Sequence, residues 1–236
     1  MSRVVSEDYK KLFDFFSNYS VKANFSKKEF VTFLSAYHKK YLAYLTFVAE
    51  ISTNKGAATL KGLSEKQCDF IAESCSDCGL AMFEAVSGNY KGARLLLRSS
   101  IENYMKGASL DEDGTIDQES SVYELFNRAK ATVFFTQREH LKLFDVIHQE
   151  YKALCRDVHT ATTANMALVS ALNTFPTFNQ KFADGVLKTV KRLIESYVTL
   201  LAMKYNEYYH GIGYENKEVI ENAVLKDFAE LIYNKR

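Results

Sequence analysis

Tyr90-Lys-Gly-Ala-Arg-Leu-Leu-Leu-Arg-Ser-Ser-Ile-Glu-Asn-Tyr-Met-Lys-Gly-Ala108 is the stretch that decides the fold. Wound at 100° per residue, it places Leu97, Ile101, Tyr104, Met105 and Ala108 in one stripe, as a helix with a single buried face requires. Arg94 falls inside that stripe, between Ile101 and Met105, while Arg98 lies at its edge with Glu102 one turn beyond. An arginine on a core-facing stripe is costly unless it is paired. Arg98 and Glu102, four residues apart, can pair, an interaction worth about 0.2–0.5 kcal/mol on an exposed helix. Two readings stand: a structural ion pair with snorkelling stems, or a polar site in a groove between helices.

Working outward, the same period recurs behind repeated Ser/Thr-x-x-Glu/Gln boxes, which satisfy free backbone donors at helix N-termini. They are Ser26-Lys-Lys-Glu29, Ser64-Glu-Lys-Gln67, Ser121-Val-Tyr-Glu124, Thr136-Gln-Arg-Glu139 and Thr177-Phe-Asn-Gln180. The spacing predicts helices near 6–18, 27–52, 65–87, 90–108, 121–132, 137–159, 161–173, 178–210 and 216–234. Residues 108–120, with Asp111-Glu-Asp-Gly-Thr115, read as an exposed acidic loop. Gly211-Ile-Gly213 is expected to end the longest helix through a left-handed cap. No stretch alternates as a strand does. The expected fold is all-α, a bundle of up to nine helices in a single domain over 1–236.

Composition agrees with this. One proline and ten glycines in 236 residues leave few helix breakers. Seventeen Phe and 15 Tyr, with no Trp, supply bulky core residues, many with a polar tip. Thirty basic against 29 acidic residues leave a formal charge of +1, without the excess that phosphate-backbone binders usually carry. The basic pairs Lys27–Lys28, Lys39–Lys40 and Lys191–Arg192 read as solvated helix faces. The N-terminal residues carry charges where a signal peptide needs an apolar core, and the apolar run near 198–203 is too short to span a membrane. A cytoplasmic chain is therefore expected, with no membrane contact. Cys68, Cys75 and Cys78 share one helix face; Cys75-Ser-Asp-Cys78 lacks the second ligand pair of a zinc site. Buried free thiols are predicted, with no metal and no cofactor.

The segment 137–159 carries a second stripe of Leu143, Phe144, Ile147, Tyr151, Leu154, Cys155 and Val158, with His140 in its middle. His140 reads as a hydrogen-bonded core histidine. His148 and His159 share a flank but lie about 16 Å apart along a helix, too far to share a metal. His159, at a helix end beside an apolar face, serves either in a capping or core role or as a general acid–base. Tyr205-Asn-Glu-Tyr-Tyr-His210 either edges the core or offers rings for stacking. No GxGxxG, GxxxxGK[ST], HExxH or GxSxG pattern occurs.

Two fragments resemble a known family. Gly92-Ala-Arg-Leu-Leu-Leu-Arg-Ser-Ser-Ile-Glu-Asn-Tyr104 is similar to the RxLLE-like helix of HEPN-type proteins, and Tyr151-Lys-Ala-Leu-Cys-Arg-Asp-Val-His159 to the Tyr-x-x-Leu-x-x-x-x-His helix of one branch of that superfamily. The likeness covers roughly 91–159. It implies a HEPN-like core around 65–210, commonly dimeric, and often a metal-independent ribonuclease of bacterial defence or toxin systems. His159 would then be the catalytic or phosphate-facing histidine, with Arg98 and Glu102 as polar partners; Arg94 and Tyr151 are the candidate residues for binding an RNA substrate. The chain departs from the family's catalytic signature, in which four to six residues separate Arg from His: only two separate Arg156 from His159, and the wheel turns Arg156 away. The alternative is a non-catalytic interaction module, a homodimer or one subunit of a larger defence assembly.

Overall fold

The structure is a computed structural model and describes residues 3–53, 63–158 and 175–233. Its described residues form no strand; eleven α-helices are joined by turns and three short 3-10 segments. They are α1 (Arg3–Ser17), α2 (Lys28–Thr53), α3 (Glu65–Val86), α4 (Tyr90–Ser109), α5 (Val122–Ala131), α6 (Val133–Thr136), α7 (Arg138–Val158), α8 (Gln180–Lys204), α9 (Asn206–Gly211), α10 (Tyr214–Glu221) and α11 (Ala229–Tyr233). The fold is an all-α bundle, as the periodicity predicts.

The most extensive pairing is the antiparallel hairpin of α3 and α4. Ser64 opens α3 with a complete capping box: its side chain accepts from Gln67 N while the Gln67 side chain accepts from Ser64 N. The hairpin turns at Gly88, the one described residue with a left-handed φ (86°), where a Cβ would lie 2.7 Å from the Thr177 carbonyl oxygen. Asn89 then caps α4 by accepting from Gly92 N. Further along, Gly107 lets the helices close up, since a Cβ there would meet the Ile71 side chain at 2.9 Å. Helix α2 packs onto α3 and α8, and α7 onto α4 and α8, while α8 also touches both helices of the hairpin.

The stripes read from the sequence form the core. Leu97, Ile101, Tyr104, Met105 and Ala108 of α4 are buried, as are Leu143, Phe144, Ile147, Tyr151 and Leu154 of α7. At the centre, the rings of Tyr104 and Tyr197 stack with centroids 4.0 Å apart, and the Tyr104 hydroxyl donates to the Tyr197 carbonyl at 3.1 Å. Tyr37 and Tyr44 donate to the Cys78 and Ile71 carbonyls. Cys68, Cys75 and Cys78 point inward, at most 3% exposed; burial holds the Cys75 thiol well above its ordinary value and pushes Cys78 up to about 12.

Several expected boundaries differ. The helix predicted over 161–173 lies outside the described residues. The long helix predicted over 178–210 breaks at Tyr205, whose buried hydroxyl accepts from Gln67 of α3 at 2.9 Å. The segment 216–234 divides into α10, a 3-10 turn (Lys226–Phe228) and α11. Ser121 caps α5 as expected, but Ser26 belongs to a 3-10 turn (Lys22–Ser26) and Thr136 ends α6, its hydroxyl bonded back to Val133. Asn179, not Thr177, caps α8. Gly211 ends α9 without a left-handed cap.

The acidic loop is less free than its charge suggests. Ile116 at its centre is fully buried, and the loop reaches five helices, four of them through carboxylates. Asp117 pairs with Lys66 of α3, and its carbonyl accepts from Lys106 of α4. Asp113 takes two hydrogen bonds from Arg128 of α5, at 2.6 and 2.7 Å. Glu112 caps α6 by accepting from Phe134 N at 3.1 Å, and Asp111 pairs with Lys204 of α8 at 2.7 Å. Two basic residues read as solvated also bind between helices: Lys40 pairs with Glu195 at 2.8 Å, and Arg192 with the buried Glu150 at 2.5 Å. Each has a long stem that carries its cation past its own helix to a carboxylate on the next.

Candidate functional site

The site is built where α4 crosses α7. Arg98 and Glu102 stand one turn apart on α4, so their side chains share a face. The expected pair forms, with Nε of Arg98 3.2 Å from Oε1 of Glu102. Tyr151 of α7 completes it: its hydroxyl accepts from Arg98 Nε at 3.0 Å and donates to Glu102 Oε1 at 3.0 Å. The Arg98 guanidinium lies 5.3 Å from the centre of the Tyr151 ring, in cation–π range.

Burial shapes the electrostatics. It pushes the Tyr151 hydroxyl well above its ordinary value, and the Glu102 carboxylate adds to that, so the phenol stays protonated and able to donate. For Arg98, burial opposes the charge, but the bond to Tyr151 and the nearby Glu102 more than offset it. The pair is reachable from outside, with side-chain exposures of 27% for Arg98 and 31% for Glu102. Both hydrogen bonds made by Arg98 leave from Nε; among the described residues none engages Nη1 or Nη2. The two Nη groups form the fork that suits a phosphate or carboxylate.

The other predicted residues fall as follows. Arg94 turns to α8, its guanidinium 5.9 Å from the Phe182 ring. His159 lies outside the described residues. His140 is a core histidine, 5% exposed, its Nδ1 2.8 Å from the Phe134 carbonyl. His148 stacks on Phe126 at 4.4 Å, and burial, then Lys152 and Lys130, hold its pKa below the usual histidine range. Tyr205, Tyr208 and Tyr209 belong to the core edge, at most 7% exposed. Among the described residues no three His, Cys, Asp or Glu side chains converge as a metal requires, and no helix is long and apolar enough to cross a membrane.

Sequence reasoning passed over Asp77. It sits 5% exposed on α3 and accepts at 3.0 Å from Nδ2 of Asn103, the residue next to Glu102 on α4. Burial raises its pKa, with Glu73 and Glu102 adding to the effect. The signal was present: Asp77 stands inside Cys75-Ser-Asp-Cys78, between two core positions. Glu150 was also passed over; it is held by Thr189 at 2.9 Å as well as by Arg192. The chain matches no known protein family, no curated protein and no solved structure.

Proposed function

We propose that this is a HEPN-like helical ribonuclease that cleaves single-stranded RNA without a metal, in the bacterial defence or toxin setting that the resemblance implies. One observation carries the reading. Arg98 is fastened through Nε by Glu102 and Tyr151 while its two Nη groups face no partner among the described residues. A guanidinium held in this way is preorganised to receive the charge that builds on a phosphorane. The substrate's own 2′-hydroxyl attacks the adjacent phosphorus and the 5′-oxygen leaves, giving a cyclic phosphate and a 5′-hydroxyl. His159 is the residue proposed to take the 2′ proton or to supply one to the leaving oxygen. Tyr151 orients Arg98 rather than meeting the reacting atoms.

Purified protein is expected to cut single-stranded RNA in EDTA and to leave cyclic-phosphate ends. Arg98→Ala and His159→Ala should each abolish cleavage while holding the thermal midpoint within a few degrees, as expected of residues whose role is in the site. RNA left intact by the wild type, with any cognate partner removed, would overturn this reading. A second reading has an observation of its own: Glu102 already neutralises Arg98 at 3.2 Å. On that reading the cluster is a structural latch, and the protein is a non-catalytic interaction module.

A further inference from the structure

The first helix is amphipathic, yet its apolar side faces solvent. On the α1 wheel Tyr9, Leu12, Phe13 and Phe16 fall within about 100° of one another, and no charged residue of the helix falls within that stripe. Those four side chains are 58%, 38%, 60% and 60% exposed. The stripe continues onto the body through Leu80 and Phe83 on the outer face of α3, 51% and 65% exposed. Between the two, Phe15, Phe16, Tyr19, Phe83 and Phe175 line an apolar cavity of about 260 Å³, large enough to seat an aromatic ring.

We infer that this surface is covered by the same surface of a second copy, making the protein a homodimer through α1 and the tip of the α3–α4 hairpin. Area is the first argument. An aromatic side chain presents about 150–250 Å², so four aromatics and two leucines at these exposures leave roughly 600–700 Å² of apolar surface. That exceeds the largest patch of most monomers, about 300–600 Å². With a polar rim it approaches the roughly 800 Å² that each partner gives to a standard interface. The second argument is charge. The α1 sequence holds Arg3, Lys10 and Lys11 against Glu7, Asp8 and Asp14, so two copies meet without net repulsion. A helix that lies in a lipid surface draws on an excess of cations along its polar side, which α1 lacks. A two-fold pairing needs only one self-complementary patch per chain, and the cavity beside Phe16 gives an anchoring ring of the partner a pocket to fill.

The inference does not rest on the ribonuclease reading. Sedimentation velocity of the full chain between about 1 and 100 μM should show a dimer. The double variant F13D/F16D should associate at least tenfold more weakly, with the helical ellipticity of wild type because both residues are exposed in the single chain. Phe83→Ser reads the same surface from α3 and should also weaken the dimer. Wild type that stays monomeric throughout this range would overturn the inference, as would a dimer that all three substitutions leave intact. Monomeric wild-type protein that co-sediments with phosphatidylcholine–phosphatidylserine vesicles would overturn it in favour of a lipid surface.

Discussion

Tyr151 joins two charges that belong to another helix. Its hydroxyl is at once the acceptor for Arg98 and the donor to Glu102, and the side chain is only 8% exposed. Tyr151→Phe keeps the ring beneath the guanidinium but removes both hydrogen bonds, so a loss of about 1–2 kcal/mol is expected. In a double-mutant cycle with Glu102→Gln, the two losses should fail to add by about 0.5 kcal/mol or more. Chemical denaturation of the four proteins checks this; strict additivity would mean the cluster has no shared energy. The sequence showed half of this site. Arg98 and Glu102 are legible because four residues bring two side chains to one helix face. That Tyr151 meets them was not legible, since nothing local in 137–159 says which helix it faces; Tyr151 was expected only to face the substrate. That Asn103 of α4 meets Asp77 was illegible for the same reason.

At the scale of elements, local chemistry was read well and tertiary competition was not. Ser64 and Ser121 cap their helices because the partner donors lie within three residues. The break at Tyr205 carries no glycine or proline; the Tyr205 hydroxyl there accepts from Gln67, 138 residues away in the chain. The acidic loop is the clearest case, because its sequence announces solvent while its carboxylates bind helices. The hydrogen bonds from Arg128 hold the Asp113 carboxyl below the usual range. A depressed folded value means stability that is present above the unfolded pKa, about 3.9, and lost as pH falls through the folded value. Asp113→Asn should therefore lower the thermal midpoint by a few degrees at neutral pH. The gap to wild type should close as pH falls below about 4. Melting curves of both proteins across that range test it, and a gap independent of pH would assign the effect to packing.

For the whole molecule, the near balance of 30 basic and 29 acidic residues has a structural counterpart in pairs that join distant parts of the chain. Lys40 of α2 holds Glu195 of α8, Arg192 holds Glu150, and Lys204 holds Asp111. Wheels could state which face of each helix is buried, but not which helix would cover it. The stripes share the same Phe, Tyr and Leu, and their complementarity appears only in three dimensions. The exposed stripe of α1 was invisible for a related reason: from sequence an outward apolar face looks like an inward one.

The tyrosines at the centre also give the protein an optical reporter of its own core. With no Trp in the chain, its near-ultraviolet signal comes mainly from phenols. Burial, as the largest cause, holds Tyr37, Tyr44, Tyr104 and Tyr197 well above the ordinary tyrosine value. A raised folded value contributes stability that is fully present below the unfolded pKa, about 10, and is lost as pH rises beyond it. In an alkaline titration the phenolate absorbance of these four rings should therefore appear together with the loss of helical ellipticity. Phenolate from all of the tyrosines gained while the helices persist would show the centre to be open to hydroxide.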